Sequence, residues 1–263
     1  MDLALLFLAV LLRQEVAGLK LKRLKVPAYT VRGESALLEC RYDLGGDRLY
    51  TISWYKDHEE FYRYVPKGEP TKHSYTVEGI KVDHLRSDHQ QVLLQDASLH
   101  TRGRYRCEVS AEGPNFHSVN AEANMEVVVL PQDGPTITGE EKIYATGDVL
   151  DLNCTSGKSH PAANLTWFIN GEQVMPDSET LLDHHGLYSV ISSLRLRLQP
   201  DHISDDKINV RCEATVQVDS NSDAPLVKTR TTEVFVEGHA SMASPSVCLT
   251  VASALLLRLL TPV

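Results

Sequence analysis

The sequence predicts an all-β chain of two tandem sandwiches, and three observations carry that reading. A Cys…Trp…Cys triplet occurs twice, as Cys40, Trp54 and Cys107 and again as Cys154, Trp167 and Cys212. Around each triplet apolar residues recur at every second position, the period of a strand buried on one face. Tyr105 stands two residues before Cys107, the place of the tyrosine corner in an immunoglobulin sandwich. Together these define two immunoglobulin-like domains, variable-type then constant-like.

The elements follow in order. Residues 1–18 read as a signal peptide. "LALLFLAVLL" is too short to span a bilayer, and Val16-Ala17-Gly18 offers the small residues of a cleavage site, which puts the mature start at Leu19. Residues 19–130 form domain one. Ala36, Leu38 and Cys40 alternate inward, as do Ile52 and Trp54, and Tyr105, Cys107 and Val109. The 67 positions between Cys40 and Cys107 leave room for the extra C′ and C″ strands of a variable-type domain. "LPQDGP" (130–135) is a short hinge. Residues 131–237 form domain two, with Leu150, Leu152 and Cys154, then Leu165, Trp167 and Ile169, then Leu194, Leu196 and Leu198 alternating inward. Asn170-Gly171 is the turn pair most favoured between two strands. Val210 stands where a corner tyrosine would be, and only 58 positions separate Cys154 from Cys212.

The cysteine count fits this plan. Cys248 lies in the C-terminal apolar stretch, and the other four pair as Cys40–Cys107 and Cys154–Cys212, one bridge per sandwich. Each bridge closes a loop worth roughly 4 kcal/mol in the chain-entropy picture. Residues 238–263 combine small and polar residues with the apolar run "VCLTVASALLLRLL", the pattern of a glycosylphosphatidylinositol-anchor signal. Gly238 gives the best spacer for lipid attachment; Ser241 is the alternative, and Ser244 is also chemically acceptable. Two sequons, at Asn153 and Asn164, both fall in domain two, with parity opposite to their core neighbours and so towards solvent. Domain one has none.

Charge and motifs exclude several functions. The formal net charge is −9, which argues against nucleic acid, whose recognition needs cations on phosphates. The basic run "KLKRLK" (20–25) reads as a solvated first strand and could also mark an acidic partner or a proteoglycan. No nucleophile elbow, phosphate loop or HExxH occurs, and His184-His185 has no carboxylate or cysteine at ligand spacing. The sequence therefore implies no enzyme, cofactor or metal.

The stretch "EFYRYVP" (60–66) marks the candidate site. With Trp54 and Tyr55, it places five of the seventeen aromatic residues within eleven positions. On a C′ strand its faces are Phe61, Arg63 and Val65 against Glu60, Tyr62 and Tyr64. An unpaired arginine in the core costs several kcal/mol, so Arg63 is expected outward, taking Phe61 and Val65 with it. Tyr55 on strand C and Arg104, Arg106 and Glu108 on strand F join that face. Tyr55, Phe61, Arg63, Val65, Arg104 and Arg106 are thus the expected partner-binding residues, of types enriched at protein–protein hot spots.

"WYKDHEEFYRYVP", "GIKVD", "RYRCEVSAEGPNF" and the two domains joined through a short "LP" hinge resemble the Beaten path family of insect neuronal surface proteins, over residues 20–237. The resemblance implies a recognition protein of axon guidance or synaptic partner choice, at the outer face of the plasma membrane or secreted. It also implies a partner, an immunoglobulin receptor of the Sidestep type on another cell, bound through domain one. The other reading is a secreted, immune-type binder of a microbial surface or glycan.

Overall fold

A computed structural model describes residues 18–218 and 226–239. In domain one the strands are β1 (Lys20–Lys25), β2 (Tyr29–Val31), β3 (Ala36–Asp43), β4 (Leu49–Lys56), β5 (Glu59–Tyr64), β6 (Lys72–Ser74), β7 (Gln91–Leu94), β8 (Gly103–Ala111) and β9 (Ser118–Val128). They form a three-stranded sheet, β1-β3-β7, facing a six-stranded sheet, β2-β9-β8-β4-β5-β6. The presence of β5 and β6 makes the domain variable-type. A bridge between Val82 and Leu94 marks a vestigial strand beside β7.

The alternating residues meet between the sheets. Leu38, Ile52, Trp54, Val92, Leu94, Tyr105 and Val109 are buried around the Cys40–Cys107 disulfide, whose Cα atoms lie 6.4 Å apart. The Tyr105 hydroxyl donates to the Thr101 carbonyl, closing the tyrosine corner. Burial pushes this phenol far above its ordinary pKa, since nothing there solvates a phenolate.

One expectation is corrected. Phe61 is fully buried, with its ring edge-on to Tyr105 at 6.0 Å between centroids. The cause is a bulge in β5: Trp54 pairs with Tyr62 and Tyr55 with Glu60, so Phe61 is an extra residue opposite the partner strand. A bulge breaks the two-residue period, and Phe61 and Tyr62 both turn inward. Beyond it, Arg63 faces out and Tyr64 packs half-buried on the core. Val65 sits past the strand end in the turn towards β6, where its amide donates to the Thr71 carbonyl at 2.8 Å. Phe61 therefore cannot be a surface anchor.

Domain two comprises β10 (Thr136–Thr138), β11 (Ile143–Ala145), β12 (Val149–Thr155), β13 (Asn164–Ile169), β14 (Glu172–Val174), β15 (Ser178–Asp183), β16 (Tyr188–Arg197), β17 (Lys207–Val218) and β18 (Leu226–His239). A four-stranded sheet, β10-β12-β16-β15, packs on a five-stranded one, β11-β18-β17-β13-β14. Trp167 lies beside the Cys154–Cys212 bridge in this core, its indole N–H donating to Ser192 Oγ at 3.1 Å. Asn170 and Gly171, with φ of 49° and 89°, make the tight turn between β13 and β14. β18 continues to His239, two residues past the expected end of the domain.

The domains meet without a flexible spacer. Val128 belongs to the domain-two core, and Tyr29 and Leu130 pack against it. Val129 and His160 exchange both backbone hydrogen bonds, at 2.8 and 2.9 Å.

Candidate functional site

The outer face of the six-stranded sheet is built from residues that strand parity turns away from the core. Cross-strand register sets them in rows. One row runs His73, Arg63, Ser53, Glu108, Asn120 across β6, β5, β4, β8 and β9. The next runs Glu60, Tyr55, Arg106, Glu122. Ser53 is buried beneath its longer neighbours and forms the floor between Arg63 and Glu108.

Each charge on this face has an opposite. The bulge that buries Phe61 leaves Glu60 and Arg63 adjacent, and the guanidinium donates to both carboxylate oxygens, at 2.8 Å from Nε and 2.5 Å from Nη2. Glu60, accepting those hydrogen bonds, holds Arg63 still more firmly protonated. The Arg63 guanidinium also lies 5.8 Å from the centre of the exposed Tyr75 ring. Arg106 stacks over Tyr55, 4.2 Å from its centroid, and pairs with Glu108 at 3.2 Å. Arg104 reaches Glu122 at 3.4 Å. The guanidiniums are therefore held by partners and present their remaining donors in fixed directions, which suits directional recognition.

Of the expected partner-binding residues, the structure brings Tyr55, Arg63, Arg104 and Arg106 onto one face. Phe61 is in the core and Val65 in the adjoining turn. Sequence reasoning turned Glu108 outward beside Arg104 and Arg106, and missed Glu60, Tyr75 and Glu122. Glu108 had a second signal, since Arg106-Cys107-Glu108 repeats as Arg211-Cys212-Glu213 in domain two. Glu60 was hidden by the bulge.

The other expected residues sit as follows. Asn164 is exposed at the head of β13, whereas Asn153 is half-buried and its Oδ1 accepts from Ser193 at 2.6 Å. Gly238 is buried within β18, its amide donating to the Asp206 carbonyl at 2.9 Å. Ser241 and Ser244, the leader and the apolar tail lie outside the described residues. Among the described residues no group of three or more His, Cys, Asp or Glu could hold a metal ion. No helix among them is long and apolar enough to cross a membrane.

Comparison with known proteins agrees with this architecture. Residues 26–130 match the immunoglobulin V-set domain, and residues 131–223 match the CD80-like C2-set immunoglobulin domain. The chain thus carries a V-set immunoglobulin domain followed by a C2-set immunoglobulin domain. Its relatives include cell adhesion molecule 1 of Mus musculus, 24% identical over 183 residues that cover 70% of this chain and 37% of that protein. Nephrin of Mus musculus is 26% identical over 188 residues, covering 69% of this chain and 13% of that one. The chain spans less than half the length of these curated relatives. Among solved structures, Rst D1-D2 shares the fold with a TM-score of 0.57 at 20% identity, covering 84% of this chain and 100% of that one.

Proposed function

We propose that this chain is a recognition and adhesion protein of the extracellular cell surface, and that domain one binds an immunoglobulin-type receptor on another cell. The observation that carries the reading is the outer face of the six-stranded sheet, where Tyr55, Arg63, Arg104, Arg106 and Tyr75 stand among paired carboxylates with no sequon in the domain. Relatives named as cell adhesion molecules support the adhesive role. The resemblance to the Beaten path family supports the finer reading, a Sidestep-type receptor bound in axon guidance or synaptic partner choice. Attachment to the membrane through a lipid belongs to the same proposal. Gly238 is held inside the last strand, which favours Ser241 as the attachment residue.

A glycan wedge tests the binding face. Arg63→Asn with Val65→Thr creates a sequon on the outward side of β5 without touching the core. The variant is expected to be secreted normally and to lose receptor binding in an extracellular interaction screen against immunoglobulin ectodomains. Normal secretion of the glycosylated variant with full binding overturns the proposal. Release by phosphatidylinositol-specific phospholipase tests the lipid anchor separately, and retention beside a released control rejects it.

A further inference from the structure

β1 is the edge strand of the three-stranded sheet, and its sequence Lys20-Leu21-Lys22-Arg23-Leu24-Lys25 gives only two side chains to the core. Leu21 and Leu24 pack inward although three positions apart. The pairing shifts between Leu21 and Arg23, so Lys22 is an inserted residue, and Lys22 and Arg23 emerge side by side in solvent. Arg23 then stands directly opposite Arg41 of β3. Like charges face to face across a strand pair destabilise it. Arg41 turns aside to Glu39 at 3.2 Å and to Gln90, while Arg23 makes no ion pair among the described residues. Lys22 reaches Asp43 at 3.2 Å and Lys25 reaches Glu39 at 3.8 Å, both with roughly half their side-chain surface exposed, so neither cation is neutralised strongly. Lys20, Lys22, Arg23, Lys25 and Arg41 thus share a narrow strip with only Glu39 and Asp43, in a chain whose formal charge is −9.

We propose that this strip binds a sulfated linear polysaccharide of the cell surface or matrix. The cations lie in an extended row along a strand, which a linear polyanion can track, and guanidinium forks match tetrahedral oxyanions. The outward residues of the strip include no aromatic anchor of the kind that dominates protein interfaces. Anionic lipid headgroups lie mainly on the cytoplasmic leaflet, whereas this surface belongs outside the cell. The inference rests on the extracellular location proposed above, and not on the receptor. The strip is on the opposite sheet from the receptor-binding face, so both can be occupied together.

The test is retention of the full chain, purified in detergent, on immobilised heparin at roughly physiological ionic strength. The wild type should be retained and elute with salt, and each cation removed should lower the slope of log affinity against log salt by about one. Lys22→Ala with Arg23→Gln should abolish retention. Arg23→Gln alone should weaken retention and raise the melting temperature by about 1–3 °C, because it relieves the opposition to Arg41. Flow-through of the wild type overturns the proposal, as does undiminished retention of the double variant. Binding to polyglutamate or to phosphatidylserine vesicles as strong as binding to heparin also overturns it, since charge alone would then suffice.

Discussion

The two domains carry the same device on corresponding faces. In domain one Arg106 covers Tyr55 at 4.2 Å and pairs with Glu108, with Glu122 opposite in register. In domain two Arg211 covers Phe168 at 4.3 Å, pairs with Glu213 at 3.4 Å, and reaches Glu233, opposite in register, at 4.0 Å. Both arise from the same local sequence, an aromatic after the core tryptophan and Arg-Cys-Glu around the second cysteine. A stacked arginine on this sheet is therefore a general way of covering the outer face of a sandwich, and taken alone it does not mark a binding site.

What differs is the flank. In domain one, β5 and β6 extend the face by the Glu60–Arg63 fork and Tyr75. In domain two the matching edge is the three-residue β14. Asn164, a sequon residue, lies on the same outward side of β13 as Phe168. One sheet is thus extended at this edge and free of sequons, whereas the other ends in a short strand and carries a sequon on its face. On this comparison, what sets the proposed receptor face apart is the C′ strand rather than the arginine stack.

The largest expected effects are those the domains share. Replacing Cys40 or Cys154 by Ala should cost about 4 kcal/mol in either case, because the loops they close span similar separations of 67 and 58 positions. Secretion yield and thermal unfolding of the two single variants measure this. A domain that tolerates the loss is not the structural equal of the other. Next comes the bulge, which the corresponding β13–β14 pair lacks. Phe61→Ala removes a fully buried ring and should cost about 3 kcal/mol, while Tyr64→Ala, half-buried, should cost clearly less. Denaturant midpoints in the reverse order would place Phe61 at the surface after all.

That prediction shows where the sequence was legible. The inward sets in both domains follow from a two-residue period that holds wherever strands pair regularly, and the disulfides from the repeated Cys…Trp…Cys spacing. The period also turns Arg63 outward and Tyr62 and Tyr64 inward. It failed at Glu60 and Phe61, because a bulge resets parity without requiring any particular side chain. The adjacent pair Phe61-Tyr62, with charges at Glu59, Glu60 and Arg63 on both sides, is the pattern that two consecutive inward residues leave. The ion pairs of the face were hidden for a related reason. Register across strands decides which charges meet, and a single sequence does not state register.

A smaller effect separates the domains at the corner. Tyr105→Phe deletes one buried hydroxyl and leaves the Thr101 carbonyl without its donor, which should cost about 1 kcal/mol. Domain two has Val210 in that place, buried and without a hydrogen bond to lose. Hydrogen exchange around Thr101 should quicken in the variant while exchange in domain two stays unchanged. Equal loss of protection in both domains would mean that they unfold as one unit, coupled through the Val129–His160 pair.

The smallest change in stability makes the sharpest test of the comparison. Arg106→Ala and Arg211→Ala each remove a guanidinium stacked on an aromatic ring and paired with a glutamate. Both side chains keep about a third of their surface exposed, so solvent screens much of the interaction. Each loss should be about 1 kcal/mol or less, and the two should be equal within error. Binding should tell them apart. Arg106→Ala should weaken receptor binding about tenfold, roughly 1.4 kcal/mol, since the proposed mode of binding turns its donors to the partner. Arg211→Ala should leave binding unchanged, since the same group in domain two covers a sheet and meets nothing. Measuring both variants for unfolding and for receptor affinity separates a covering role from a recognising one. Equal and small effects on affinity would move the recognition site wholly onto β5 and β6, with Arg63 and Tyr75 as its remaining members.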